Sequence, residues 1–276
     1  MAIITISRGA CSGGRELAGL LARRMGYRVI RRRDLYDRVE QDYALSRRQA
    51  AAIMERSPGQ VELAGEASLR ITTGQRRRRL FFAMQASLCK LCGDGDSIYS
   101  GHSGHLLFFG FPHVLRVRLV TPWEARVRAA MERQRLGRRE AIARLDQQDG
   151  ARQRWTRTFY NVDWGDPEQY DMVLNLTRMS LDEAANLMAH AVTLSAFEAD
   201  ERTAAAFADL ALDARVTARL LAHPNTAHLQ LDVVVTAGTV RVTGVRYEGD
   251  AREVNRIVRR IEGVQRLTMP GWSSLR

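Results

Sequence analysis

The residues best placed to do chemistry lie near the start of the chain. Ile3-Ile4-Thr5-Ile6 runs into Ser7-Arg8-Gly9-Ala10-Cys11-Ser12-Gly13-Gly14-Arg15-Glu16. An amphipathic helix follows, with Leu17, Leu20, Leu21 and Met25 on one face and Gly26 as its stop. Glycines between a strand and a helix let backbone N–H groups close on an anion, and the helix N-terminus adds a favourable dipole. The spacing Gly9-x4-Gly14-Arg15-Glu16 imitates a phosphate-binding loop, with Arg15 at the lysine position and Glu16 at the hydroxyl position. Ser12, Gly13, Gly14 and Arg15 are therefore candidates for holding the phosphates of a nucleotide. The pattern alone leaves a second reading open, a tight turn that binds nothing.

A second cationic set lies downstream. Residues 126–157 contain ten arginines and four acids. Guanidinium groups neutralise the oxygens of a transferring phosphoryl group with bidentate geometry. Arg152 and Arg157, after the Asp149 turn, are the candidates for that role, whereas Arg133, Arg135, Arg138 and Arg139 read as a solvated helix face. Asp149 reads as a residue that orients an arginine or the substrate, not as a proton acceptor. Cys89-Lys90-Leu91-Cys92 is a lone CxxC without histidines at ligand spacing, so two core thiols are expected and no metal site. His102, His105 and His113 are too scattered to make a site of their own. Trp155, Phe159, Tyr160 and Trp164 read as packing residues.

The elements that position these groups follow from periodicity. Strands are expected near residues 2–7, 27–30, 97–100, 114–120 and 170–176, alternating with helical patterns, which gives an α/β layered domain with a parallel sheet. Residues 34–92 read as mostly helical. Ser180 with Glu183 forms a capping box before a last helix. After an acidic stretch at residues 197–202 the pattern becomes α-β-β-α-β in about seventy residues, with strands near 229–236, 239–245 and 264–267. The division expected is 1–195 and 196–276.

Composition bounds the partners. The chain has 276 residues and a formal net charge of +11, and of its 42 basic residues only Lys90 is lysine. Residues 196–276 carry 11 arginines and 10 acids, so a net +10 belongs to residues 1–195. That surface suits phosphates of any kind. An RNA-binding protein with steeply salt-dependent affinity is one reading, but no nucleic-acid motif supports it, and nucleic acid is not favoured. No run of apolar residues is long enough to span a bilayer, and the opening does not read as a secretory signal. With three cysteines and no disulfide framework, a cytoplasmic chain is expected.

The opening, Thr5-Ile6-Ser7-Arg8 with Ser12-Gly13-Gly14-Arg15-Glu16-Leu17-Ala18, resembles that of the cytidylate kinase-like proteins, relatives of the P-loop nucleoside monophosphate kinases. Tyr99-Ser100-Gly101-His102 stands where such proteins have a strand ending in Gly-Arg. Asp146-x-x-Asp149-x-x-Arg152 is similar to the spacing of their lid. Asp163-Trp164-Gly165-Asp166-Pro167-x-x-Tyr170-Asp171 resembles the stretch before their last strand. The resemblance spans about residues 1–190. It implies a P-loop kinase-like three-layer fold and phosphoryl transfer from ATP with Mg²⁺ to CMP, dCMP or a related small acceptor. Arg15, Arg152 and Arg157 would then be catalytic and Asp34, His102 and Asp149 would bind the acceptor. His102 replaces the family's arginine, which keeps a second reading open: a kinase-derived nucleotide sensor with little turnover.

Gly238-Thr239-Val240-Arg241-Val242-Thr243-Gly244 and Glu262-Gly263-Val264 resemble a BON domain over residues 200–269. That resemblance implies a small module binding a protein or phospholipid partner, with a domain that only mediates dimerisation as the equal alternative, and no catalytic cluster is seen there.

Overall fold

A computed structural model of the chain describes residues 2–55, 72–93, 95–101 and 103–272. Five strands, β1 (Ile3–Arg8), β2 (Arg28–Arg31), β3 (Ser97–Ser100), β4 (Val114–Val120) and β5 (Met172–Asn175), form a parallel sheet in the order β2-β3-β1-β4-β5. The central place of β1 explains why it is buried from Ile3 to Ser7, because a strand covered on both faces loses the exposed positions of a half-exposed one. Ile3, Ile4 and Ile6 are each at most 1% exposed. Helix α1 (Gly14–Met25) packs beside α8 (Leu181–Ala191), and both share a core with Ile4, Ile6, Leu115, Val117 and Leu119. The Ser180–Glu183 capping box forms as expected, with Glu183 N donating to Ser180 Oγ at 3.2 Å and Ser180 N to Glu183 Oε2 at 2.8 Å.

Residues of opposite parity on β1 face a different layer, where the Asp163–Asp171 segment is fastened. Trp164 Nε1 donates to Ser7 Oγ at 2.9 Å, and Tyr170 OH lies 3.2 Å from the same oxygen and 3.3 Å from His105 Nε2. Arg118 donates to Trp164 O at 2.6 Å and stacks on its ring at 4.4 Å. Asp171 takes Arg116 in a two-pronged pair, with Nη2 2.7 Å from Oδ1 and Nε 3.1 Å from Oδ2. Each side chain of this motif that the structure ties down holds the approach to β5 rather than presenting a group to a ligand.

His105 sits on α5 (Gly104–Leu107) in this layer, 1% exposed, and its pKa is pushed down to about 3 by burial, then by Arg116 and Arg118. Its folded pKa lies below the unfolded value of about 6.5, so the unfolded chain binds the proton more readily. Stability is complete above pH 6.5 and is lost as pH falls toward 3. From this group alone, going from pH 7 to pH 5 costs about 2 kcal/mol. Urea unfolding at both pH values should give a shallower loss for His105→Gln than for the parent. Equal losses would refute the assignment.

By compactness the chain forms two units, 1–34 with 51–59 and 94–199, and 35–50 with 60–93 and 200–276. This partition differs from a linear division at 195/196, because the helix α4 (Thr73–Cys92) packs along α9 (Glu201–Ala222). Gln75 Nε2 donates to His228 O at 3.0 Å, and Arg78 pairs with Asp232 at 3.3 Å. Helices α2 (Arg32–Tyr43) and α3 (Arg47–Glu55) each have residues in both units, and the second unit also contains a three-stranded sheet. Its strands, β6 (Asp232–Thr236), β7 (Thr239–Thr243) and β8 (Arg266–Thr268), have β7 in the middle, antiparallel to β6 and parallel to β8. With α9 and α10 (Glu248–Val258) the order is the α-β-β-α-β expected. The β6–β7 turn uses Ala237 and Gly238, both at positive φ, and Asp209 on α9 accepts both turn amides at 2.8 and 3.1 Å. Cys89 and Cys92 are buried, as expected of core thiols, and burial pushes the Cys89 thiol well up. Among the described residues no helix is long and apolar enough to cross a membrane.

Candidate functional site

The chain leaves β1 at Arg8 and enters α1 at Gly14 through a loop that only a few residue types permit. Gly13 sits at φ 80°, in the left-handed region that glycine occupies without steric cost. It is the N-cap of α1 and supplies no side-chain bond, so the first amides of the helix are left for another acceptor. Ser12 is 3% exposed, and its Oγ has no hydrogen-bond partner among the described residues. Thr121 Oγ1 donates to Ser12 O at 3.2 Å, fixing the loop from below β4. A buried hydroxyl without a partner beside free helix amides is the arrangement an anion would complete.

Two helices brace this loop. On α6 (Trp123–Gln134), Arg126 Nε donates to Ala10 O at 2.8 Å, and its guanidinium lies so close to Gly9 that any Cβ there would stand 2.7 Å from Arg126 Cζ. On α7 (Arg138–Tyr160), Asp149 Oδ1 accepts the Ala10 amide at 2.8 Å and Arg152 Nη1 at 3.1 Å. Its other oxygen takes Arg126 Nη2. Arg152 Nη1 also donates to Arg8 O at 2.9 Å. Asp149 is thus engaged by one amide and two guanidinium groups.

Beside the loop, a cavity of about 490 Å³ opens at the carboxyl ends of β1, β2 and β3. Ligands of open parallel sheets bind at such strand ends. Arg8, Arg15, Arg31, Arg32, Arg33 and Arg152 line it, with Ser100, Gly101, Ala18 and Val29, and no carboxylate is among the lining residues described. Arg8 crosses the start of α1 so closely that a Cβ on Gly14 would stand 1.9 Å from Arg8 Cδ. Burial, with Arg152, Arg32 and Arg15 around it, pushes the Arg8 pKa down to about 10. Burial lowers that of Arg152 too, against the pull of Asp149. A cluster of like charges held together by the fold is stabilised by a bound anion.

Among the residues the sequence singled out, Ser12, Gly13, Gly14, Arg15, Asp149 and Arg152 come together here. Arg157 does not line the cavity: it is exposed and pairs with Asp163 at 2.9 Å. Asp34 is occupied at the start of α2, where its Oδ2 accepts Arg31 N at 2.8 Å and its Oδ1 takes Arg33 Nε at 3.3 Å. His102 lies outside the described residues. Sequence reasoning passed over Arg8, Arg31, Arg32, Arg33 and Arg126 as site residues. Arg8 ends β1, Arg31 ends β2 and Arg32 and Arg33 follow it, so position at a strand end is the signal that could have marked these four in advance.

The residues present fit the phosphates of a nucleotide, on the strength of the orphaned Ser12 hydroxyl and the uncapped α1. For a divalent cation, the described residues offer no group of three His, Cys, Asp or Glu. Glu16 pairs through Oε1 with Arg133 at 2.8 Å and Asp149 is engaged, so Ser12 Oγ and Glu16 Oε2 are the buried oxygens at the loop without a hydrogen-bond partner among the described residues. Magnesium commonly keeps most of its ligands as water and phosphate oxygens, which such a site permits.

The model of the cytidylate kinase-like family matches residues 3–178. No curated protein matches significantly. Among solved structures, an uncharacterized protein from Eubacterium ventriosum ATCC 27560 is 18% identical, with a TM-score of 0.48 over 69% of this chain and 97% of that one. TT1252 from Thermus thermophilus is 20% identical, with a TM-score of 0.42 over 70% and 98%. Shikimate kinase from Bacteroides thetaiotaomicron is 11% identical, with a TM-score of 0.40 over 70% and 99%.

Proposed function

The chain belongs to the cytidylate kinase-like family, and from that premise we propose that it transfers the γ-phosphoryl group of Mg-ATP to a small phosphate-bearing acceptor, with CMP and dCMP the first to try. The observation that carries this reading is the Arg8 and Arg152 pair beside the uncapped start of α1, in a cavity without a lining carboxylate among the described residues. Ser12 to Arg15 would hold the donor phosphates, where bound Mg²⁺ would neutralise part of their charge. Arg8 and Arg152 would stabilise charge on the transferring oxygens, the main task in phosphoryl transfer. A phosphate acceptor brings its own anionic nucleophile, so Asp149, bound by two arginines, need not take a proton. The energy source would make the chain cytoplasmic.

For residues 200–269 we keep the BON-like reading, a module for a protein or phospholipid partner, with the functional division at 195/196. Its element order and a cavity of about 810 Å³ lined by Arg241, Arg259 and Arg266 support a binding role.

The test is product formation by chromatography with purified chain, Mg-ATP and a panel of nucleoside monophosphates and other small phosphorylated acceptors, with Arg15→Ala alongside. Conversion that falls with Arg15→Ala supports the transferase. No turnover by folded protein that binds ATP would replace it with the nucleotide sensor, and no ATP binding would reduce the loop to a turn. Gly14→Ala gives a sharper probe. Its Cβ would displace the Arg8 side chain, whereas alanine in a helix gains up to about 1 kcal/mol over glycine. The expected result is a kcat about 100-fold lower at nearly unchanged melting temperature. Parental kcat in this variant would remove Arg8 from the mechanism.

A further inference from the structure

Resting on the phosphotransferase reading, we propose that the ligand of the arginine-lined cavity, its acceptor, is a small molecule carrying two separate phosphate groups. One is held by Arg8 and Arg152 beside the glycine loop, and the other by Arg31 and Arg33 at the end of β2.

The sheet order separates the two cationic sets. β3 lies between β1 and β2, and Arg31 pairs in register with Ser100, which ends β3. Two strand spacings put the ends of β1 and β2 about 10 Å apart. Between them, among the described residues, the end of β3 and the residue after it contribute Ser100 and Gly101 to the cavity lining. The Ser100 hydroxyl is turned away from a ligand, donating to Gly14 O at 3.3 Å.

Charge points the same way. Of the six lining arginines, Arg152 has Asp149 as a carboxylate partner and Arg33 has Asp34. Leaving Arg32 aside, Arg8, Arg15 and Arg31 meet no side-chain carboxylate at hydrogen-bond distance among the described residues. Arg15 belongs with the donor phosphates, which leaves cationic groups at both ends of the cavity. A phosphate monoester carries at most two negative charges at one place and satisfies only one end.

Among the described residues the lining also offers a nucleobase no specific partner. Its described apolar residues are Ala18 and Val29, with no aromatic ring to stack on among them. Cytosine presents an amino donor that calls for an acceptor such as a carboxylate. The charged side chains among the described lining residues are all guanidinium donors. A volume of about 490 Å³ accommodates a small organic bisphosphate.

The experiment is calorimetric titration of the full chain, with and without saturating Mg²⁺ and a non-hydrolysable ATP analogue. The probes are fructose 1,6-bisphosphate, fructose 6-phosphate and CMP. The proteins are the parent, an Arg31→Gln/Arg33→Gln double variant and an Arg154→Gln control. All three replaced arginines are exposed, so the variants keep the fold. With the analogue bound, the bisphosphate should bind about 10- to 100-fold more tightly than either monophosphate. The double variant should erase that advantage and the control should keep it. CMP binding as tightly as the bisphosphate, an unaffected double variant, or expulsion of the bisphosphate by the analogue would overturn the proposal. If the analogue fails to bind while the Arg31/Arg33-dependent preference persists, the phosphotransferase reading falls and the two-phosphate cavity stands.

Discussion

Arg8→Met is expected to lower kcat by about 10²–10³-fold and to raise the melting temperature. The two effects have one cause. Arg8 extends across Gly14 into a cavity whose other charged lining residues are arginines, and its ionised form is disfavoured there by burial and by Arg152, Arg32 and Arg15. Methionine keeps the stem that packs on Gly14 and removes the charge, which relieves repulsion worth about 1 kcal/mol or more. The same charge is what a phosphate would use. A site built to bind anions is destabilised in their absence, so loss of function and gain of stability go together. Pyrophosphate should accordingly raise the melting temperature of the parent more than that of the variant. Steady-state kinetics and thermal unfolding of the two proteins check both signs. A variant that is less stable, or that keeps parental kcat, would remove Arg8 from the catalytic site.

Asp149→Asn should act in the opposite sense on stability. The asparagine oxygen can still accept the Ala10 amide, but Arg126 and Arg152 lose their shared anion, and an amide N–H₂ is turned toward a guanidinium. Side chains of Arg126, Arg152 and Asp149 are only 12–21% exposed. Removing one partner of a buried pair costs about 3–5 kcal/mol, and the residual solvent access here reduces that to about 2–3 kcal/mol. The melting temperature should fall by about 5–10 °C. Turnover should fall with it, because Ala10, Arg126 and Arg152 all shape the loop through this one carboxylate. A melting temperature within 1 °C of the parent would show that the clasp contributes nothing. Replacing exposed Arg157, whose carboxylate partner among the described residues is Asp163, should change neither stability nor turnover appreciably.

The sequence by itself determined what depends on neighbours a few residues away. The opening strand, its glycine loop, the Gly26 stop, the Ser180 cap and the Ala237-Gly238 hairpin all rest on local sterics and hydrogen bonds, and all are found where periodicity and turn chemistry put them. The mostly apolar β1 announced a strand covered on both faces, whereas β4 alternates, with Arg116 and Arg118 between apolar residues. The Asp163–Asp171 motif was legible as a pattern, but its work was not: its side chains turn out to fasten β5 to Ser7, His105, Arg116 and Arg118, all distant in sequence. In a chain with 41 arginines, residue type cannot distinguish the guanidinium that faces water from the one that faces a ligand. Arg8, Arg31, Arg32 and Arg33 became a site only when the strand order brought the ends of β1, β2 and β3 together. Arg126 and Asp149 became a clasp only when α6 and α7 settled against the loop. The partnership of α4 with α9 belongs to the same category. Local patterns encode which face of an element is apolar. Which distant element covers that face, and which charges are thereby crowded together, is decided by packing alone.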